Sequence, residues 1–509
     1  MNYNSISAVS FRVGNDMYIY DRYSNEFLKI DKITEQILDD TYTANFNPAN
    51  YEFDAKTVLK RYSEIEKVKA DNDVLKPFVL PQLSISKEKS TLEKLQSKVE
   101  GQISNLVFCT TENCNLRCKY CIYSGSYANA TRVHNAKQLK WNIAKMAIDQ
   151  YVEMSKKTEN ANRFISFYGG EPILNFQVIK QVVDYVKKRG IDVQFAMNTN
   201  LTLVDEKILK FLIDNNFILS VSIDGPECMH DIYRVAKNEK KSHKTVLENL
   251  KIIKNIDNDY FKSKVVFNVV IVPHNYDLDI LDNYFDSDIF QNIDIKQFKP
   301  LQINYEENSF FSRYDYDEFM RNFEKHSLDK FISVHKNRKT DFSDMKISYQ
   351  YHIRGFKQIY YREMNRLNEY SFFWPNGICI PGLRSLFVAT DGKYYPCEKM
   401  SDHNPLIIGN VFDGYDIEDT ADLIEEYAKK SLPQCKSCWA FRFCGVCFMS
   451  SQVDGNFSAA KKVHNCNMIK QYYYSLFHSY INIVKETPDA FDYLDDTERD
   501  IMVNDMRTD

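Results

Sequence analysis

Residues 110–121 read TTENCNLRCKYC and place Cys114, Cys118 and Cys121 in a C-x3-C-x2-C pattern directly after an apolar run at 106–110. Three thiolates on one tight loop can hold three irons of a cubane cluster and leave the fourth iron open. A structural metal site is usually closed by a fourth protein ligand, whereas a reactive site keeps a vacancy. On spacing alone, a zinc site with a distant fourth ligand, or three unligated thiols, is the alternative.

Apolar runs and amphipathic runs alternate in the sequence that surrounds this loop. Six such units predict an α/β fold with parallel strands, either a doubly wound sheet or a partial barrel. In both architectures, ligands bind at the carboxyl ends of the strands. The predicted strands are 106–110, 164–167, 193–197, 218–222, 265–272 and 293–298, and the predicted helices are 137–156, 176–188, 205–215, 244–256 and 278–284.

Polar and glycine residues follow successive predicted strands. The second strand ends in GGEP at 169–172, the third in NTN at 198–200, and the fourth in SIDGP at 222–226, with His230 and Arg234 beyond it. Glycines let a backbone approach a ligand closely, and a glutamate can accept an ammonium group. An ordinary turn before a helix is the alternative for GGEP. Polar side chains at these strand ends suit ribose hydroxyls and a carboxylate.

Together, the cysteine loop with Tyr120, the GGEP motif and SIDGP resemble the radical S-adenosylmethionine (SAM) superfamily over residues 103–300. The resemblance implies a partial (β/α)6 barrel of the TIM type, with a 4Fe–4S cluster on the three loop cysteines and SAM on the open iron. It implies that reduced SAM yields a 5′-deoxyadenosyl radical, which abstracts a substrate hydrogen. The resemblance places Gly169, Gly170 and Glu171 at the SAM amine. It places Asn198, Asn200 and Ser222 near the ribose of SAM, and Arg234 at its carboxylate. The implied SAM-binding residues are Tyr120, Gly169, Gly170, Glu171, Asn198, Asn200, Ser222, Asp224 and Arg234.

Seven further cysteines lie in the C-terminal part of the chain. Their number exceeds one zinc site and falls one short of two closed four-thiol sites. A zinc ribbon at 435–447 is the alternative interpretation. The first two cysteines are separated by x12-G-x4, the next four read C-x2-C-x5-C-x2-C, and the last follows after 18 residues: Cys379, Cys397, Cys435, Cys438, Cys444, Cys447 and Cys466.

This pattern is similar to the SPASM extension of radical SAM peptide-modifying enzymes, although the last spacing of the quartet is one residue shorter than usual. The resemblance implies a first auxiliary cluster on Cys379, Cys397 and Cys447, and a second on Cys435, Cys438, Cys444 and Cys466. Residues 380–395 contain no cysteine, so we expect an open iron on the first auxiliary cluster that can bind a substrate thiolate. Relatives often carry an aspartate proton acceptor after the second cysteine, which makes Glu398 the candidate general base. A solvated loop carboxylate is the alternative.

Residues 1–80 are predicted to form a small module of the winged-helix type. The predicted strands are 8–13, 17–20 and 27–30, and the predicted helices are 32–40, 55–67 and 72–78. Ten basic and thirteen acidic side chains argue against DNA binding and favour a peptide or protein partner. The module resembles the element that binds the leader of ribosomally made peptides as an added strand. An unrelated capping domain is the alternative.

The remaining boundaries follow from changes in composition. We predict a linker at 81–104, the radical SAM barrel at 105–302, a helical connector at 303–375, the auxiliary-cluster domain at 376–470, and a C-terminal helix with an acidic tail at 471–509. Of the other cysteines, Cys109 is predicted to lie in the core, and Cys228 is predicted to be a buried structural thiol.

Composition limits the class of protein. The chain has 509 residues, a formal net charge of −5 and 44% hydrophobic residues, which excludes a disordered chain and a strongly basic nucleic-acid binder. Twelve cysteines are too few for a disulfide scaffold. No apolar run approaches the length of a membrane span and no signal peptide is recognised, so a cytoplasmic protein is expected.

These observations predict a radical SAM/SPASM peptide maturase with three 4Fe–4S clusters. The expected partners are a precursor peptide with a leader sequence and a low-potential electron donor of the flavodoxin or ferredoxin type. The three-thiol auxiliary site favours cysteine thioether formation. The alternatives are carbon–carbon or ether crosslinking, epimerisation, oxidation of the anaerobic sulfatase-maturase type, and a zinc-stabilised, non-catalytic peptide-binding adaptor.

Overall fold

The computed structural model describes residues 8–22, 25–30, 91–127, 132–158, 163–273, 277–303, 308–338, 341–362, 379–400, 406–436, 438–453 and 455–494. The helices predicted at 32–40, 55–67 and 72–78 lie outside these described residues. Of the predicted linker, residues from 91 onward are described, and they form helix α1 (Thr91–Val99).

The N-terminal residues form a three-stranded antiparallel sheet. Its strands are β1 (Ala8–Val13), β2 (Asp16–Asp21) and β3 (Glu26–Ile30), in the order β1-β2-β3. All three strands lie where the alternation of apolar residues predicts them, and Gly14 turns the chain between the first two with a positive φ of 62°.

An eight-stranded sheet, seven of whose strands are mutually parallel, forms the centre of the molecule. Six of these strands run in chain order from β4 to β9, without the reversal that marks a doubly wound sheet. This order favours the partial barrel over the doubly wound sheet. The strands are β4 (Asn105–Thr111), β5 (Phe164–Gly169), β6 (Gln194–Thr199), β7 (Ile218–Ser222), β8 (Val265–Val270) and β9 (Phe298–Leu301).

Helices connect these strands, and their apolar residues recur at helical spacing. On α3, for example, Val178, Val182 and Val186 are four residues apart and buried. Two predicted boundaries were wrong: residues 137–140 run extended beside the end of β4, and a 3-10 turn at Ile295–Gln297 delays the sixth strand. The helices are α2 (Trp141–Met154), α3 (Phe176–Lys188), α4 (Glu206–Asp214), α5 (Glu227–Tyr233), α6 (His243–Ile256), α7 (Asn258–Lys264) and α8 (Leu278–Phe285).

The cysteine-rich part of the chain extends the central sheet. Strand β10 (Leu386–Val388) pairs in parallel with β4, and β11 (Tyr394–Tyr395) pairs antiparallel with β10. The loop that carries Cys397 therefore begins two strands away from β4, which leads into the first cysteine loop. The remaining elements are α9 (Tyr316–Lys336), α10 (Lys346–Tyr360), β12 (Gly409–Asn410), β13 (Gly414–Tyr415), α11 (Ile417–Cys435), β14 (Gln452–Val453), β15 (Asn456–Phe457) and α12 (Ala459–Glu486).

A second hydrophobic core joins the two ends of the chain. The ring of Phe477 on α12 lies 4.7 Å from Tyr20 and 4.9 Å from Phe27 of the N-terminal sheet, and 5.2 Å from Phe443 of the cysteine-rich loop. The N-terminal strands therefore share one core with the C-terminal helix and with the cysteines near Phe443.

None of the helices within the described ranges is long and apolar enough to cross a membrane.

Candidate functional site

The first cysteine loop is packed against the glycine pair that ends β5. Gly170 N donates to Thr111 O at 2.7 Å, and Glu171 N donates to Asn113 O at 2.8 Å. A Cβ atom on Gly169 would overlap Thr111 O, and one on Gly170 would overlap Asn113 O. The glycines were predicted to let the backbone approach a ligand; in the structure they let it approach the loop that carries the cysteines.

Hydrogen-bond donors point at the sulfur atoms of this loop. Cys114 Sγ accepts from Leu116 N at 3.4 Å and from Asn200 Nδ2 at 3.7 Å, and Cys121 Sγ accepts from Tyr123 N at 3.4 Å. Burial raises the pKa of Cys114 and of Cys121 to about 12. Thiolates at such a site require nearby positive charge, and N–H donors to sulfur are typical of iron–sulfur sites. The loop therefore fits a cluster.

A buried polar network lies beside Cys118. Arg234 Nη1 donates to the Tyr120 hydroxyl at 2.6 Å, and that hydroxyl makes a short hydrogen bond to Asp224, whose other oxygen accepts from Val270 N at 3.0 Å. Burial raises the pKa of Cys118, and Arg234 opposes that shift. Arg234 Nε is buried and has no hydrogen-bond partner among the described residues. The network places a cation and an unused donor next to the cysteine loop, where an anionic group fits.

Glu171 is 1% exposed and ties the ends of two strands together. Its carboxylate accepts from Thr199 Oγ1 at 2.7 Å, from Asn200 N at 2.7 Å and from Ile173 N at 3.3 Å. Burial raises its pKa to about 7 in spite of these three donors. The carboxylate thus holds Asn200 where the Asn200 side chain reaches Cys114.

Two further residues predicted at the SAM site lie at the same edge of the sheet. Asn198 is exposed at the end of β6, and Ser222 is half-buried at the end of β7. Between described residues, no hydrogen bond joins either side chain to the cysteine loop.

Cys379, Cys397 and Cys447 lie together, and Glu398 lies beside them. Burial raises the pKa of Cys397 to about 12, and the further causes are Glu398, Cys379 and Cys447. Cys379 is exposed as a residue, and the pKa of its thiol is raised by local burial and then by Cys447. The structure therefore assembles the three thiols that the sequence assigned to the first auxiliary cluster, although Cys397 and Cys447 are fifty residues apart.

The other four C-terminal cysteines surround a buried lysine. Lys462 Nζ lies 3.6 Å from Cys435 Sγ and 3.6 Å from Cys466 Sγ. Burial acts to lower the pKa of Lys462, but the nearby thiols outweigh it, so that the pKa is raised. The thiols that act on Lys462 are Cys435, Cys444, Cys466 and Cys438.

The side chain of Arg22 reaches the same four-thiol site from the N-terminal sheet. Its Nη1 donates to Cys435 O at 2.9 Å, to Lys436 O at 3.3 Å and to Cys438 O at 2.9 Å. Arg22 is 0% exposed. Burial lowers its pKa to about 10, so the guanidinium remains charged at neutral pH. Arg22 therefore caps the carboxyl end of α11 next to two predicted ligands.

Two side chains that sequence reasoning missed connect the first loop with Glu398. Arg132 donates to Glu398 O at 2.9 Å, and its guanidinium carbon lies 4.6 Å from the Phe387 ring centre. Tyr168 is the penultimate residue of β5, and its pKa is raised by burial and then by Glu398 and Cys121. Nothing in the local sequence identifies Arg132, whereas Lys462 lies one helical turn before Cys466, a spacing that could have revealed it.

The thiols of each group do not converge on one point. Among the described residues, no three His, Cys, Asp or Glu side chains are placed to hold a single metal ion. In a cubane each thiolate binds a different iron, so the thiols of one cluster need no common centre.

Of the two isolated cysteines, one lies as predicted and one does not. Cys109 is buried in the barrel core, 3.8 Å from the Tyr123 hydroxyl. The prediction that Cys228 is buried was wrong, because it lies on the solvent side of the short helix α5 and is exposed. The inner side of α5 is formed by Met229, His230 and Tyr233.

Comparison with known proteins gives a domain assignment. Residues 108–285 match the family model of the Radical SAM superfamily. A cysteine-type anaerobic sulfatase-maturating enzyme of Clostridium novyi is 32% identical over 174 residues, which are 33% of this chain and 43% of that protein. The chain thus spans less than half of the length of that relative.

Two longer matches extend beyond the domain. A cysteine-type anaerobic sulfatase-maturating enzyme of Clostridium perfringens is 24% identical over 408 residues, covering 75% of this chain and 98% of that protein. The solved structure of native anSMEcpe with bound AdoMet superimposes with a TM-score of 0.55 at 19% identity, covering 75% of this chain and 99% of that one. The shared fold therefore extends beyond the residues that the family model matches.

Replacement of Gly170 by alanine tests the packing of the cysteine loop. Because the added methyl group overlaps Asn113 O, we expect the loop to shift and the anaerobically reconstituted protein to lose about four irons per chain. Gly190→Ala is the control for backbone strain away from the cysteine loop, since Gly190 has a positive φ of 63° but a Cβ there meets no atom within 4 Å. Equal iron contents in the two variants would show that the loop tolerates the overlap.

Replacement of Tyr120 by phenylalanine tests the buried network. The variant removes the hydroxyl that joins Asp224 and Arg234, and we expect the free energy of unfolding to fall by ~1–3 kcal/mol. The measurement is urea unfolding at neutral pH. Tyr185→Phe, which removes a hydroxyl bonded to Asp149 and Arg189 near the surface, should cost less than ~0.5 kcal/mol. A smaller loss for Tyr120 than for Tyr185 would contradict this role.

Proposed function

We propose that this chain, which carries a radical SAM domain over residues 108–285, is a radical SAM enzyme that modifies a ribosomally made precursor peptide. We propose a cysteine thioether as the product. The observation that carries the proposal is the sorting of ten cysteines into three groups: one on the first loop, one beside Glu398, and one around Lys462. Each group would hold one 4Fe–4S cluster.

The first group supplies the reactive centre. Cys114, Cys118 and Cys121 would hold the cluster, and the loop from residue 111 to 127 contains no fourth cysteine or histidine. Most of the predicted SAM-binding residues end or directly follow strands β5, β6 and β7, whereas Tyr120 and Arg234 lie beside Cys118. When bound and reduced, the cluster and SAM supply a 5′-deoxyadenosyl radical that removes a hydrogen atom from the substrate.

Glu398 is the proposed general base. It is half-buried, and its charge acts on both Cys397 and Tyr168, so it lies near both residues. Arg132 holds the Glu398 carbonyl and thereby positions this residue. A carboxylate at this place can accept the proton that a substrate thiol or carbon centre must release.

The N-terminal sheet is the proposed binding element for a leader peptide, with the winged-helix type of fold. A leader bound there raises the effective concentration of the attached core peptide at the barrel. A flavodoxin or ferredoxin type of protein would deliver the electron that reduces the first cluster.

The thiol count of the auxiliary groups favours the thioether product. The group of Cys379, Cys397 and Cys447 has three thiols, and a cluster held by three thiols keeps one iron without a protein thiolate. A cysteine of the substrate can occupy that position, which places its sulfur near Glu398.

A second candidate function is oxidation of a cysteine or serine side chain in a sulfatase-like protein. The similarity to cysteine-type sulfatase-maturating enzymes over 408 residues favours it. The two candidates predict different fates for the substrate sulfur: a thioether retains it, whereas oxidation of cysteine to an aldehyde expels it.

The loss of Cys114 tests the reactive centre. Anaerobically reconstituted protein should contain about 12 irons per chain and release 5′-deoxyadenosine from SAM with dithionite. Cys114→Ala should retain about eight irons and release none. Colourless protein containing zinc would favour the peptide-binding adaptor, and SAM cleavage by Cys114→Ala would remove this cysteine from its assigned role.

Mass spectrometry of a co-expressed precursor peptide tests the product. A thioether gives a loss of two hydrogen atoms per crosslink with retention of sulfur. Loss of sulfur would favour the sulfatase-maturase type of reaction on cysteine, and an unchanged mass would favour epimerisation. A two-hydrogen loss on a cysteine-free peptide would indicate oxidation of a serine if the product carries an aldehyde, and a carbon–carbon or ether crosslink if it does not.

The replacement Glu398→Gln tests the base. We expect 5′-deoxyadenosine release to persist while modified peptide falls by ~100-fold or more, because proton removal follows hydrogen abstraction. Glu418→Gln, in the exposed first turn of α11, is the matched control and should leave both yields unchanged. Unimpaired modification by Glu398→Gln would assign the proton transfer to another group.

A further inference from the structure

Two buried cations stand at the four-thiol group of Cys435, Cys438, Cys444 and Cys466. Lys462 comes from α12 and is 1% exposed, and Arg22 comes from the N-terminal sheet and is 0% exposed. Burying one charged side chain is costly unless an opposite charge compensates it. Two at one site therefore require a strongly anionic neighbour.

The hydrogen bonds of Arg22 are incomplete in a way that points to such a neighbour. Nη1 alone makes all three bonds to the carbonyls of Cys435, Lys436 and Cys438. Nε and Nη2 are buried, and within the described part of the chain neither has a hydrogen-bond partner. A buried donor without a partner is rare and costs free energy. An anionic sulfide-containing group at the adjacent thiols would supply what these donors lack.

The ammonium group of Lys462 points in the same direction. Its closest partners are the sulfur atoms of Cys435 and Cys466, both at 3.6 Å. The neighbouring Lys461 instead donates to the carbonyl of Gln452. Only one of two adjacent lysines on α12 therefore faces the thiols.

We propose that Arg22 and Lys462 form a cationic pair that raises the reduction potential of the cluster held by the four-thiol group. This inference rests on the proposed function, which places a 4Fe–4S cluster there. With four thiolates that cluster is doubly negative when oxidised and triply negative when reduced, so nearby positive charge stabilises the reduced form more.

The pair also gives the N-terminal sheet a second role. Arg22 lies at the end of β2 and contacts a cysteine loop more than 400 residues further along the chain. Arg442 Nε donates back to Arg22 O at 2.8 Å, so hydrogen bonds run in both directions between the sheet and the cysteine loop. The sheet proposed to bind the leader is thus one wall of the four-thiol site.

The test is a potentiometric titration followed by electron paramagnetic resonance. It uses the full chain with Cys114→Ala, Cys118→Ala and Cys121→Ala, so that only the two auxiliary couples remain. We expect Arg22→Gln and Lys462→Gln each to lower the potential of one couple by at least ~59 mV, a tenfold change for one electron. The other couple should not move, and it serves as an internal reference.

Matched variants separate charge from structure. Arg12→Gln, exposed on the same sheet, and Lys461→Gln, next to Lys462 on α12, should leave both couples in place. Arg22→Lys and Lys462→Arg keep the charge and should shift the potential less than the glutamine variants. Unchanged potentials in both glutamine variants at full iron content, or equal shifts in the glutamine and charge-preserving variants, would overturn the proposal.

Loss of the cluster is also informative. If the glutamine variants lose iron and the charge-preserving variants keep it, positive charge compensates the cluster at this site, which supports the proposed pair. If both kinds of variant lose iron equally, charge is not the property that matters and the proposal fails. Failure of the proposed function is distinguished by the iron content of the wild-type protein, which is measured before any variant is titrated. A wild-type chain with about eight irons and no iron at these four thiols would exclude the cluster itself.

Discussion

The backbone contact between the first cysteine loop and the glycine pair of β5 constrains the rest of the site. Gly169 and Gly170 lie so close to residues 111–113 that no side chain fits between them. The next residue, Glu171, is held by the end of β6, and Asn200 beyond it reaches Cys114. The cysteine loop is thus fixed by backbone geometry and by three strand ends, so that its thiols are positioned before any metal binds.

Charge compensation is the second constraint, and it recurs at each group of thiols. Burial raises the pKa of Cys114, Cys397 and Cys435 well above that of a free thiol. Thiolates at these places need positive charge, which iron supplies in part. Cations from the protein lie near each group, with Arg234 beside Cys118, Arg384 near Cys379, and Lys462 and Arg22 beside the four-thiol group.

The sequence predicts what depends on local pattern and misses what depends on distant contacts. Helix α3 was predicted at its observed bounds because its valines recur at helical spacing, and β7 was also predicted at its observed bounds. Strands β10 and β11 are three and two residues long, too short to show a period, and they exist because β4 offers an edge.

Arg22 could not be assigned, since no local signal links β2 to Cys435. Cys228 was misjudged because position near a motif does not determine which side of a short helix faces solvent.

The auxiliary sites are built almost entirely from such distant contacts. The first combines the loop after β11 with Cys447, and the second combines α11, α12 and the N-terminal sheet. Bringing segments together over these separations costs chain entropy before any contact compensates it. The thiols of α11 and α12 alone would form an incomplete site, since the guanidinium that caps α11 arrives from the other end of the chain. The four-thiol site is therefore complete only when both chain ends are packed in their common core, which couples the folding of the N-terminal sheet to the binding of metal more than 400 residues away.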